Sequence, residues 1–290
     1  LEQFSITDEA RAREVERLLQ QAAAGSLRVE KVERKQRKRN PAPPFITSTL
    51  QQEAARKLGF TAQRTMRVAQ QLYEGVDIGG GAVGLISYMR TDSVNLAQDA
   101  LAEIRGYIAE RYGAEDLPPQ ARLYKTKSKN AQEAHEAIRP TSIRRVPGEL
   151  QAHLTKDQMR LYELIWKRTL ACQMAHALIN LVAVDLSAGD GNTFRATGST
   201  VASLGFMRVY LEGRDDAQGA DDDEERMLPP LEQGERVRLL EIRPEQHFTE
   251  PPPRYTEASL VKALEEYGIG RPSTDARTLL FLIVLGLSIH

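Results

Sequence analysis

Near residue 176 the apolar residues of this chain change period. Upstream, from about residue 45, they recur at every third or fourth position, as on one face of a helix. Downstream, to about residue 250, short runs alternate as strands do. The order is therefore a mixed start, a mostly helical block at 45–175, a β-rich block at 176–249 and a helical end. The chain has 290 residues, long enough for two or three domains.

The spacing predicts an amphipathic helix over residues 8–24, with Val15, Leu18 and Leu19 on one face. A strand-like stretch follows and ends in Arg34, Lys35, Arg37, Lys38 and Arg39, before Pro41, Pro43 and Pro44. This basic arm is either a solvated strand edge and linker or a surface that contacts phosphates. Helices are expected at 48–58, capped by Ser48 or Thr49, and at 62–74, with Met66, Val68, Ala69 and Leu72 inward. Gly79, Gly80 and Gly81 connect to "LISYM", residues 85–89, which reads as a short buried strand. On alternation, Ile86, Tyr88 and Arg90 share one face, and Leu85, Ser87 and Met89 the other.

Further helices are expected at 97–112, with Leu101, Ile104, Ile108 and Tyr112 at helical spacing, at 155–176 around the single tryptophan, Trp166, and at 257–267. Strands are expected at 179–187, 192–197, 206–211 and 235–243. The acidic run Asp221 to Glu225 reads as an exposed hairpin loop. Consecutive carboxylates without spacing glycines rarely converge on one ion, so no metal site is assigned to it. The apolar run 279–287 is too short to span a membrane.

Composition adds limits. At 41% hydrophobic and 27% charged the chain is that of an ordinary soluble protein. Its one cysteine, Cys172, excludes a disulfide framework and a cysteine-built zinc site, and fits a reducing cytoplasm. The chain opens at Leu1 without a signal peptide and is expected to be a piece of a longer protein. No Walker loop, HExxH or dinucleotide fingerprint occurs, so nothing suggests ATP use.

Three stretches carry candidate chemistry. In "YMRTDS" a phenol stands beside a guanidinium. A phenol titrates at about pH 10, so as a nucleophile Tyr88 needs help. Arg90 on the same face could stabilise a phenolate or a phosphate oxygen. Such a pair suits attack on a phosphodiester, because phenolate leaves well enough for the link to be reversible. A tyrosine satisfied in the core is the alternative. In "QEAHEAIRPT", a helix would put His135 and Arg139 at i and i+4, either to hold a phosphate or as a solvated helix end. In "GIGRPST", Arg271, Ser273 and Thr274 sit at a helix start that either binds an anion or is simply capped.

Together "PPFITSTLQQEAARKLGF", "YMRTDSVNL", "EAHEAIRPT" and "EASLVKALEEYGIGRPST", in that order, closely resemble the bacterial DNA topoisomerase I family, of type IA, from about residue 1 to Thr274. The resemblance implies a multidomain α+β fold, the incomplete toroidal core of a type IA topoisomerase. Residues 1–44 and 176–249 would form its β-rich arch, 45–175 its helical gate, and 250–290 part of a DNA-groove domain. It implies an isomerase that cuts one DNA strand through a 5′-phosphotyrosine, passes the other strand and reseals, relaxing negatively supercoiled DNA without ATP. Tyr88 would be the nucleophile and Arg90 its catalytic partner. His135, Arg139, Arg271, Ser273, Thr274 and Asp92 would serve DNA binding, Asp92 in a secondary role. Single-stranded and negatively supercoiled DNA are the implied partners, in the cytoplasm at the nucleoid, with a monomeric full-length form and no membrane.

Two departures from the family pattern stand out. The toprim domain, which the resemblance charges with holding Mg²⁺, is absent, so no metal ligand is assigned to this chain and the fragment is expected to be inactive alone. The tail 275–290 does not follow the family and suggests a truncated or frame-shifted product. A non-catalytic single-stranded DNA-binding module is the alternative reading.

Overall fold

The computed structural model describes residues 6–125, 135–189, 191–213, 227–249, 251–267 and 269. The acidic run 221–225, the stretch with Arg271, Ser273 and Thr274, and the apolar tail lie outside the described residues. The mixture of helices with an antiparallel sheet is α+β. The chain divides into two compact units, each described separately below.

The first unit takes Leu1–Arg39, Leu178–Ser203 and Ala220–Pro253. It holds helix α1 (Glu9–Ala23), the long strand β1 (Ser26–Arg39), and strands labelled below as β4, β5 and β6. Asp8 caps α1 by accepting the Arg11 N–H at 2.8 Å. Of the expected apolar face, Val15 and Leu19 are half-buried, but Leu18 is 46% exposed. β4 (Ala177–Ser187) and β5 (Thr193–Ser203) form an antiparallel pair, so β5 runs six residues beyond the expected 192–197. β6 covers only Arg236–Arg238, where a strand over 235–243 was expected. It meets β1 over Ser26, Leu27 and Arg28, and a last bond from Leu239 N–H to Gly25 C=O ends the pairing at 3.0 Å. The sheet order is β5-β4-β1-β6. Ala23, Leu27 and Ala188 form its small core, with Leu186, Phe194, Val237 and Leu239 around them.

The second unit takes Asn40–Ala177, Leu204–Gly219 and Arg254–His290. Its helices are α2 (Thr47–Leu58), α3 (Ala62–Glu74), α4 (Gln98–Tyr112), α5 (Lys156–Ala171) and α6 (Glu257–Glu266). Between α3 and α4 lies a two-residue hairpin, β2 (Val76–Asp77) with β3 (Ala82–Val83). The triple-glycine connection is its turn, where the Asp77 carboxylate accepts the N–H groups of Gly79 and Gly81 at 2.9 and 3.3 Å. α2 starts at Thr47 with Ile46 as its cap residue, a correction to the expected caps. Thr49 instead sits in the first turn, where its hydroxyl accepts the Ile46 N–H at 3.0 Å. α3, α5 and α6 are capped by Thr61, Thr155 and Thr256, the last two with reciprocal Gln158 and Ser259 bonds.

The strand expected at 206–211 is a single 3-10 turn, Gly205–Arg208. Gly205 has φ 46, and a Cβ there would lie 2.5 Å from the His176 carbonyl. Its close approach lets Phe206 N–H reach the Ala175 C=O at 2.9 Å, which turns the chain instead of extending it.

The core of this unit gathers Phe45, Leu50, Phe60, Leu72, Leu85, Ile86, Met89, Ile104, Ile108 and Ile138 around α5. Trp166 and Tyr162 on α5 donate to the carbonyls of Ile143 and Arg145 at 2.8 and 2.7 Å. A charged cluster forms beside it around one buried carboxylate. Glu53, with a side chain 3% exposed, pairs with Arg56 at 3.2 Å and Lys57 at 3.8 Å. The same carboxylate accepts the Gly213 N–H and the Tyr210 hydroxyl.

Removing the carboxylate takes the shared acceptor away from the Gly213 N–H, the Tyr210 hydroxyl and two cations at once. Glu53→Ala is expected to lower unfolding free energy by about 3 kcal/mol, measured by urea denaturation, with Glu53→Gln intermediate. Cys172 is fully buried and its thiol is pushed up to about 12 by that burial. Iodoacetamide is accordingly expected to label it only after denaturation.

Candidate active site

The Tyr88 segment is not a strand. Among residues 84–93 only Ile86 makes a bridge, antiparallel to Pro140. Pro140 has no N–H to extend a ladder. Leu85, Ile86 and Met89 are all buried, so the alternating faces predicted from the sequence do not exist. Tyr88 is 47% exposed, against the expected buried position, and Arg90 is exposed as well.

The backbone here finds its partners on three sides. Leu85 N–H donates to the Leu72 C=O at the end of α3, at 2.7 Å, and Leu85 C=O accepts the Thr141 N–H at 2.9 Å. Ser87 N–H donates to the Arg139 C=O at 2.8 Å. The Ser87 hydroxyl donates to the Ala137 C=O at 2.7 Å and accepts the Arg139 N–H at 2.9 Å. On the far side of Tyr88, Thr47 at the start of α2 takes over. Its hydroxyl lies 2.9 Å from the Met89 carbonyl and 3.0 Å from that of Thr91, and accepts the Thr91 N–H at 2.9 Å. Thr47 N–H donates to the Thr91 C=O at 3.0 Å. Thr91 and Ser93 hydroxyls then accept the N–H groups of Ser93 and Asn95.

Side chains within this frame differ in freedom. Tyr88, Arg90 and Asp92 have no hydrogen bond or ion pair among the described residues, and Tyr88 meets the ring of Tyr73 edge-on. Three other phenols are engaged. Burial raises the pKa values of Tyr124, Tyr162 and Tyr210, and each donates its proton to a carbonyl or carboxylate.

The predicted helical pairing of His135 with Arg139 is corrected. Residues 135–140 run extended, bridged by Ile138 to Phe45 and by Pro140 to Ile86. Those two bridges use the backbone groups a helix would need. His135 is exposed. Arg139 is occupied, with its guanidinium 2.8 Å from Glu136 and 2.9 Å from the Pro140 carbonyl. The structure thus gathers Tyr88, Arg90 and Asp92 on one turn, with the His135–Arg139 stretch hydrogen-bonded alongside it through Ser87. Arg271, Ser273 and Thr274 fall outside the described residues.

Sequence reading missed Thr47 and Ser87, which hold this turn, and Tyr73, which touches its tyrosine. A hydroxyl residue three positions after the last proline of the boundary, Pro44, was the available signal for Thr47. No group of three or more His, Cys, Asp or Glu among the described residues is placed to hold a metal ion. No helix among them is long and apolar enough to cross a membrane.

A pinned turn presenting an exposed tyrosine and arginine defines a class once compared with known proteins: the chain belongs to the DNA topoisomerase family, whose model matches residues 1–284. It is 61% identical over 284 residues to DNA topoisomerase 1 of Xylella fastidiosa (strain Temecula1), covering 97% of this chain and 35% of that protein. Against DNA topoisomerase 1 of Rickettsia bellii it is 56% identical over 280 residues, covering 96% of the chain and 34% of the relative. Among solved structures, full-length topoisomerase I from Thermotoga maritima matches with a TM-score of 0.80 at 37% identity, covering 97% of this chain and 43% of that one. The chain therefore spans about a third of the length of the curated relatives it matches.

Thr47→Val removes the hydroxyl and strands the Thr91 N–H in a buried setting. The expected loss is about 1–3 kcal/mol, with faster hydrogen exchange at the Thr91 amide and unchanged exchange in α3. Thr47→Ser should restore both.

Proposed function

We propose that this chain carries the nucleophile-bearing part of a type IA DNA topoisomerase. Tyr88 Oη attacks a phosphodiester of single-stranded DNA. The Oη–P bond forms, the P–O3′ bond breaks, and the phenolic proton ends on the departing 3′ oxygen. The DNA 5′ end is then held as a phosphotyrosine, the other strand passes, and the 3′ hydroxyl reverses the step. Bond energy is conserved in the phosphotyrosine, so no ATP is consumed. The observation that carries this reading is Tyr88 itself, an exposed phenol without a hydrogen-bond partner among the described residues, on a backbone tied down on both sides.

Arg90 is assigned the charge that builds on the phosphoryl oxygens in the transition state. Its exposure and lack of an ion-pair partner among the described residues support that role. His135 and Asp92 are assigned to the same strand of DNA. Arg139 is held by Glu136, so its contribution runs through the backbone that orients Ser87. Arg271, Ser273 and Thr274 are assigned to the DNA groove on the family motif alone. Mg²⁺ belongs, on this reading, to the toprim domain; the described residues offer no fitting ligand set, and no step above runs through the ion. Negatively supercoiled DNA in the bacterial cytoplasm is the natural substrate.

The test is covalent capture of a 3′-end-labelled single-stranded oligonucleotide, with Mg²⁺, by this chain and by a form extended to the relatives' full length. Label is expected on the extended form and none on the chain alone. Tyr88→Phe should abolish the adduct with DNA affinity unchanged. Arg90→Ala should slow adduct formation by about 10²–10³-fold, with a much smaller change in affinity. DNA binding that persists without label in either form would favour a binding module instead.

A further inference from the structure

We propose that Tyr73 is a positioning residue for Tyr88, its ring holding the nucleophile's phenol in one orientation before DNA binds. The proposal deepens the reading above and rests on it. Tyr73 stands in the last turn of α3 and is 40% exposed, beside Tyr88 at 47%. Their ring centroids are 5.3 Å apart with planes at 64°, an edge-to-face contact. Two features of the backbone build this contact. Leu85 N–H reaches the Leu72 C=O at 2.7 Å, which ties the Tyr88 segment to the end of α3. Gly84 makes the approach possible, because a Cβ there would lie 2.8 Å from the Tyr73 carbonyl oxygen.

The need for such a partner follows from the rest of the site. Hydrogen bonds fix the backbone of the turn on both sides of Tyr88 but leave its hydroxyl without a bond among the described residues. A half-exposed tyrosine in that state would sample several rotamers, and each unproductive one lowers the fraction of enzyme poised for attack. The Tyr73 ring is the aromatic surface that narrows this choice. Its hydroxyl, which has no hydrogen bond among the described residues, is not required for the effect.

The test compares Tyr73→Leu and Tyr73→Phe in the form that makes the Tyr88 adduct. Single-turnover adduct formation on a fluorescein-labelled oligonucleotide gives the rate, and fluorescence anisotropy gives the affinity. Tyr73→Leu is expected to slow the rate by about three- to tenfold at unchanged affinity, and Tyr73→Phe to restore it. In parallel, 3-fluorotyrosine placed at position 88 of this chain reports the ring directly by ¹⁹F NMR. Restricted relaxation and a shifted resonance are expected, both lost in Tyr73→Leu and kept in Tyr73→Phe. The relaxation measurement on the otherwise unsubstituted chain stands even where Tyr73→Leu fails to fold.

A parallel loss of rate and affinity would make Tyr73 a base-stacking residue and overturn the proposal. An unaltered rate in Tyr73→Leu, or a freely rotating ring at position 88, would overturn it too. No adduct in any form, with the ¹⁹F signature intact, would sink the topoisomerase reading first and this role with it.

Discussion

One hydroxyl group, that of Thr47, carries the constraint on which the rest of this site depends. An irregular turn has no ladder to satisfy its peptide groups, and a peptide group buried without a partner costs about as much as a lost hydrogen bond. Met89, Thr91 and Ser93 are all buried. Their backbone groups find partners through the start of α2 and through neighbouring hydroxyls. Because Thr47 is itself fully buried, water does not compete for these bonds. The turn can then stay fixed while the side chains of Tyr88, Arg90 and Asp92 keep no hydrogen-bond or ion-pair partner among the described residues, Tyr88 meeting only the edge of the Tyr73 ring. The groups that fix the main chain are thus not the ones that touch these side chains.

Charge is handled in the opposite way deeper in the same unit. Arg168, with a side chain 4% exposed, donates to the Pro43 carbonyl at 2.6 Å and to Glu212 at 2.9 Å. Its guanidinium also lies over the rings of Phe45 and Tyr210, at 4.9 and 5.2 Å. Phe45 in turn bridges Ile138, so this arginine steadies the strand-like stretch that flanks the tyrosine turn. Lys57 lies over the other partner, Tyr210, at 4.0 Å, and burial lowers its pKa even with Glu53 beside it. Arg168, buried and fully engaged, is a fixture of the scaffold. Arg90, on the tyrosine turn, is exposed instead, with no ion-pair partner among the described residues.

How far the sequence could be read depends on what kind of bond decides each element. Helices α1 to α6 follow from apolar spacing, four of them starting at an Asp or Thr cap, and β4 and β5 from alternation. Failures cluster where a close approach or a side chain decides the path. Gly205 turns residues 205–208 into a helix because of what it packs against, the carbonyls of Ala175 and His176, and periodicity says nothing of that. The apolar residues Leu85, Ile86 and Met89 looked like part of a strand, yet their partners lie on α3, on residues 137–141 and on Thr47. The i, i+4 spacing of His135 and Arg139 was likewise real in sequence and irrelevant in space, since Phe45 and Ile86 draw that stretch into extended pairing.

The tyrosines show what separates a motif from a site. The chain has nine, and residue type alone does not rank them. Tyr162 and Tyr210 are buried and Tyr124 half-buried, and they donate hydrogen bonds to the Arg145 carbonyl, the Glu53 carboxylate and the Cys172 carbonyl, so each would have to break a hydrogen bond and charge up in a poorly solvated place to act. Tyr88 faces neither cost. In the sequence it stands out by the arginine two residues on and by the family motif, within a run that reads as a buried strand. The structure differs on that run: Leu85–Met89 buries the neighbours of the tyrosine and leaves the phenol out. Under the function proposed above, exposure on a pinned backbone matters as much as position in a motif, because a weak nucleophile has to meet a phosphate that comes to it from solution.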